Sequence, residues 1–267
     1  MPRLAPVLAA VVLIATGALA ALAAAPSGAE RSAGADKRVL RLNLITGTGN
    51  PSKAIKRFRK LLGPDNGGAP DGNPKGRREL NWDAVPDEFA SPNALPGNFF
   101  NDKVGPRARG AVLATPGDHV AVSADSDNPA HAAPRFGEIN PTYTSIFKAF
   151  SPERLFSPIG SNVVNLTFRV PGTNTPAVVT GFGAVYTDID RKKNTAFQYF
   201  DRKGRSLGKF AAPVSKGGFS FLGVVFTRPR VARVRIQYGT GKLGPNDSKK
   251  YDVAVMDDFL YGEPRAR

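Results

Sequence analysis

A chain of 267 residues with 37 lysines and arginines against 22 acids carries a formal net charge of +15, and it contains no cysteine. The missing thiols exclude disulfides, thiolate metal centres, a lipid-modified cysteine and a cysteine nucleophile, so the fold must hold by burial alone. At this length it can, because a domain of about 200 residues hides roughly 70% of the surface its unfolded chain exposes.

Arg3 precedes an apolar or small-residue run over residues 4–25, centred on Val11-Val12-Leu13-Ile14, and charged residues resume at Glu30. This is the pattern of a secretory signal, expected to be cleaved after Ala29; cleavage after Ala25 would leave Pro26 at the mature N-terminus. An uncleaved anchor is the competing reading, since the run approaches the ~20 residues that span a bilayer, although alanine-rich segments insert weakly. Residues 1–29 are therefore read as a signal peptide, 30–38 as a disordered linker, 39–262 as one domain and 263–267 as a tail. The expected destination is extracellular, as a monomer without a membrane span.

Residues 39–45 read as a first strand or as a mobile lead-in. Ser52 then stands before residues 53–62, where Ile55, Phe58, Leu61 and Leu62 recur at helical spacing and Gly63-Pro64 closes the segment. One short helix is expected there, with Ser52 at the cap position; a strand is the alternative. A Gly/Pro/Asn loop follows, and then Arg78, Leu80 and Trp82 alternate with Arg77, Glu79 and Asn81. Residues 84–105 read as a long loop pinned by Phe89, Phe99 and Phe100, and residues 109–115 and 119–123 as a hairpin about Pro116-Gly117-Asp118. Residues 141–160 read as short extended pieces.

From Val163 the alternation sharpens. Val164, Leu166, Phe168 and Val170 share one face, and residues 195–201 and 206–212 form a hairpin about Arg202-Lys203-Gly204. Residues 219–227 are apolar on both faces, which predicts a central strand. Val234 and Ile236 point inward with Arg233 and Arg235 outward, and the last strand runs over 252–261. Short alternating strands with turn residues every eight to twelve positions predict an all-β, antiparallel sandwich of the jelly-roll kind with at most one or two short helices.

Gly181-Phe182-Gly183-Ala184-Val185, Phe200-Asp201, Ser206-Leu207-Gly208, Phe221-Leu222-Gly223-Val224, Arg233-Val234-Arg235-Ile236 and the terminal Met256-Asp257-Asp258-Phe259 occur here in this order. With Gly76-Arg77-Arg78-Glu79-Leu80-Asn81-Trp82-Asp83 upstream, the chain resembles uncharacterised bacterial secreted jelly-roll modules of the type found in PEP-CTERM-associated proteins. The resemblance implies a sandwich similar to carbohydrate-binding modules and supplies no activity. The sorting tail of such proteins has no counterpart in this sequence.

Catalytic patterns are scarce. There are two histidines, His119 and His131, and no G-x-S-x-G elbow. A carboxylate pair for glycoside hydrolysis needs a separation that one dimension does not give. Asp257 with Asp258, Asp188 with Asp190, and Asp125-Ser126-Asp127-Asn128 offer hard oxygens of the kind a structural Ca²⁺ takes, against the plainer reading of turn-capping, arginine-paired acids. For a sugar, an aromatic plate with polar neighbours is needed; Trp82 with Arg77, Arg78 and Asn81 is the expected ligand site. The leading expectation is a non-catalytic module binding a surface or matrix polysaccharide, or another anionic polymer, with no specific nucleic-acid recognition. The alternative is an envelope protein with only electrostatic adhesion to polyanions. A glycan-acting hydrolase stands outside both. Whether the cation groups at 53–60, 77–78, 191–193, 202–205 and 228–235 converge on one face decides how the charge is used.

Overall fold

In the computed structural model, which describes residues 41–245 and 250–266, the alternating segments form two facing antiparallel sheets. The expected signal peptide and linker lie outside the described residues. In chain order the elements are β1 (Leu42–Gly49), α1 (Ser52–Leu62), β2 (Arg77–Leu80), β3 (Ala111–Ala114), β4 (His119–Val122), α2 (Tyr143–Ile146), β5 (Phe156–Ile159), β6 (Val163–Phe168), β7 (Ala177–Val178), β8 (Gly181–Ile189), β9 (Ala196–Phe200), β10 (Ser206–Ala211), β11 (Ser215–Phe226), β12 (Arg233–Gln237), β13 (Val255–Gly262) and β14 (Arg265–Ala266). One sheet has seven strands, ordered β1-β11-β8-β13-β5-β4 with β2 also on β13; the other has five, ordered β10-β9-β12-β6-β3. The chain crosses repeatedly from one sheet to the other, as in a jelly roll.

Alternation puts every second residue between the sheets. Phe182, Ala184 and Tyr186 of β8, Leu222, Val224 and Phe226 of β11, and Phe259 and Tyr261 of β13 meet Leu166 and Phe168 of β6, Phe197 and Tyr199 of β9, and Val234 and Ile236 of β12. The other face of the seven-stranded sheet is apolar as well, and α1 covers part of it: Ile55, Phe58 and Leu62 pack on Val185, Phe221, Val225 and Leu260. That double coverage is why β11, hydrophobic on both faces, is a central strand. Gly183 and Gly223 pair across β8 and β11, and a Cβ on either would lie within 3.0 Å of the Phe58 ring. These glycines make room for the helix.

Several expectations need correction. Ser52 does not cap α1; its own N–H donates to Asn50 Oδ1, and the helix has no side-chain cap. Residues 109–123 are not a hairpin, because β3 pairs with β6 in one sheet and β4 with β5 in the other, so the Pro116-Gly117 turn joins the two layers. The region read as extended contains α2, whose Tyr143 and Phe147 pack into a second apolar layer with Leu155, Leu243 and Val255. The C-terminal residues are not a free tail: Glu263 is buried, and β14 pairs with β7.

Candidate ligand-binding groove and basic face

Trp82 has 0% exposure and offers no plate to a ligand. It stacks on Phe156 with centroids 4.4 Å apart, meets Phe259 edge-on, and its indole N–H donates to the Asp257 carbonyl at 3.0 Å. The alternation of β2 explains this, since Arg78, Leu80 and Trp82 all face inward. Arg78 is likewise fully buried, donating to both carboxylate oxygens of Glu263 at 2.6 and 2.7 Å and to the Gly67 carbonyl. Arg77 pairs with Glu79 at 2.5 Å and donates to the Gly63 carbonyl, and Asn81 Oδ1 accepts the Asp83 N–H. Trp82 and Arg78 are thus core residues, Arg77 is engaged by Glu79 and Gly63, and Asn81 stays exposed at the turn that follows β2.

The acidic pairs separate. Asp257 and Asp258 lie together where the register of β13 shifts against β8, and the Ser151 hydroxyl donates to both, at 2.9 and 3.3 Å. Asp257 also accepts the Phe150 and Ser151 N–H groups. Burial, then the charges of Asp257, Asp83 and Glu79, push the Asp258 carboxyl up to about 8, and burial raises Asp257 in the same direction. Asp188 accepts the Gly217 N–H at the irregular start of β11, and Asp190 faces Lys216 at 4.0 Å. Among the described residues, no group of three or more acid, histidine or cysteine side chains is placed to hold a metal ion. Hydrogen bonding within the fold accounts for the oxygens of Asp257.

A concave surface lies elsewhere, at the β3 edge of the five-stranded sheet. A groove of about 690 Å³ lies between the loop that precedes β3 and the turn after β6. Its wall carries Phe89 and Phe99, the amides of Asn98, Asn101 and Asn174, and Lys103, Arg107 and Arg169 against the single carboxylate of Asp102. Asn101 Nδ2 donates to the Thr173 carbonyl at 3.0 Å, which clasps the two loops. Gly172, at φ 76°, brings the turn so close that a Cβ would lie 2.6 Å from the Lys103 carbonyl oxygen. Asp102 pairs with Arg107, whose guanidinium lies 4.8 Å over the Phe99 ring. Asn101 Oδ1 is buried and has no donor among the described residues.

Val112 belongs both to the groove and to the outer face of the five-stranded sheet, where one cross-strand row reads Val112, Thr167, Arg233, Phe200 and the next Ala114, Asn165, Arg235, Gln198, Lys209. The Arg233 guanidinium sits 3.7 Å over Phe200 and donates to Asn165 Oδ1 at 3.0 Å. A guanidinium over a ring with one nitrogen engaged by an amide keeps its other N–H groups for a planar anion. Partial burial lowers the Arg233 pKa, as does the charge of Arg235. No acid occurs in either row. The β9–β10 turn extends the band with Arg202, Lys203 and Arg205, of which Arg205 pairs with Asp201 at 2.7 Å. A basic, amide-rich strip therefore runs along this end of the sheet into the groove. Sequence reasoning missed it because its two loops are clasped by a bond spanning 72 residues; the aromatic pinning of residues 84–105 was the one local signal.

Among the described residues no helix is long and apolar enough to cross a membrane. No protein-family model and no curated protein matches the chain. Among solved structures, the enzymatically active domain of tailspike protein 4 from bacteriophage CBA120 is similar at 13% identity, over 67% of this chain and 21% of that chain, with a TM-score of 0.23. A likeness of that size carries no argument about function.

Proposed function

We propose that this protein is a secreted, non-catalytic β-sandwich module that binds an anionic polysaccharide in the groove and along the adjoining basic strip. The observation that supports this reading best is the convergence in one groove of three cations, three side-chain amides and two phenylalanines against one already paired carboxylate. Guanidinium groups held over rings recognise carboxylate or sulfate groups with little ordering left to do, and the amides both donate to and accept from hydroxyls. An envelope protein that only adheres by charge has the same cations but no use for the amides.

The two readings part in a calorimetric titration with acidic and neutral oligosaccharides at low and moderate salt. Arg169→Ala and Arg233→Ala are each expected to weaken binding of an acidic oligosaccharide roughly tenfold, about 1.4 kcal/mol, and Asn98→Ala to shift preference among acidic sugars. Binding that vanishes uniformly as salt rises, indifferent to sugar type, supports plain electrostatic adhesion instead.

A further inference from the structure

Helix α1 carries a second set of cations on the far side of the sandwich. Its apolar stripe is buried on the outer face of the seven-stranded sheet, so Lys53, Lys56, Arg57 and Lys60 all stand exposed on the opposite side of the helix. Arg59 alone among the helix cations has an ion-pair partner, Glu79; the other four have none among the described residues. Their spacings, 53 to 56, 53 to 57, 56 to 60 and 57 to 60, place like charges at i,i+3 and i,i+4. Each such pair disfavours the helix. The first turn has no acid to offset the helix dipole and no side-chain cap. The like-charge pairs, the acid-free first turn and the missing cap work against the helix, with Lys60 in the last turn the exception, and the charges stand outward on one ridge, open to an anion. The ridge has no insertion face left for a bilayer, because its apolar stripe is already in contact with β8, β11 and β13, and Leu61 is the only large apolar side chain exposed on the helix.

We infer that α1 is a second polysaccharide-binding surface, so that one molecule bridges two acidic polymer strands from opposite faces of the sandwich. This rests on the groove reading for the first contact. The two surfaces are separated by the stacked sheets and the helix layer, about 20 Å in all, so a short oligosaccharide fits one or the other while a long polymer is shared between proteins.

The test uses the full chain with a long polyuronate and a short oligouronate. Wild type is expected to take two oligouronates per molecule and to produce a sedimenting, light-scattering network with the polymer that disperses at excess protein. The variant Lys53→Gln/Lys56→Gln/Arg57→Gln/Lys60→Gln should fold with an unchanged or higher Tm, bind one oligouronate with wild-type affinity and form no network. Its counterpart Lys53→Arg/Lys56→Arg/Lys60→Arg should form the network as wild type does. A stoichiometry of one for wild type, a network undiminished in the glutamine variant, or α1-dependent binding to vesicles containing anionic phospholipid but not to polyuronate overturns the inference. Binding that survives Arg169→Ala/Arg233→Ala yet disappears in the glutamine variant removes the groove reading and the bridge together; binding lost only in the groove variant leaves the groove and removes α1.

Discussion

At residue scale the chain resolves two ionisable groups shielded from water in different ways. Arg78 is held by a bidentate carboxylate and two backbone carbonyls, so its charge is fully engaged. Asp258 instead is desolvated and lies among Asp257, Asp83 and Glu79, and burial first, then these charges, push its carboxyl up to about 8. An unfolded aspartate titrates near 3.9. Between these values the folded protein holds a proton that the unfolded chain has released, so the associated stability is complete at acid pH and is lost as pH rises through the folded value. Thermal unfolding should therefore show Tm falling from about pH 4 to about pH 8 and levelling off above that, and Asp258→Asn should flatten that slope and unfold at higher temperature than wild type at the alkaline end. Neither charge state was legible in the sequence, because Arg78 and Glu263 are 185 positions apart and Asp83 reaches Asp258 only through the fold.

At the scale of elements, periodicity was the strongest guide. The hairpin of β9 and β10, the inward faces of β6 and β12 and the central position of β11 follow directly from period-two patterns, and α1 from its apolar spacing. The β3–β4 segment shows the boundary of that method: two alternating runs with a Pro-Gly turn look the same whether the strands pair with each other or pass to different sheets. Helix docking is set by two residues without side chains. Gly223→Ala would place a methyl group 2.6 Å from Phe58, and displacing that ring should destabilise the protein by about 1–3 kcal/mol. Denaturant midpoints are the measurement, and adding Phe58→Leu should recover part of the loss if the clash is the cause.

For the whole molecule the last long strand is fastened to β2: β13 pairs with β2 through Phe259–Leu80 to Gly262–Arg77, and the buried Arg78–Glu263 pair locks that junction. Glu263→Gln leaves a guanidinium with 0% exposure short of its counter-charge, and urea unfolding should report a loss of about 3–5 kcal/mol. Replacing both partners with apolar residues of similar size should cost much less than the single change.

Composition and alternation by themselves determined that this chain folds by burial, without thiols, into antiparallel layers with a short basic helix, because those properties are local and repeat along the strand. Which cations are used inside the fold and which face outward, that the lone tryptophan is core, and that a groove forms between loops 72 positions apart were decided by the tertiary structure, since each depends on neighbours that only chain crossing between the two sheets brings together.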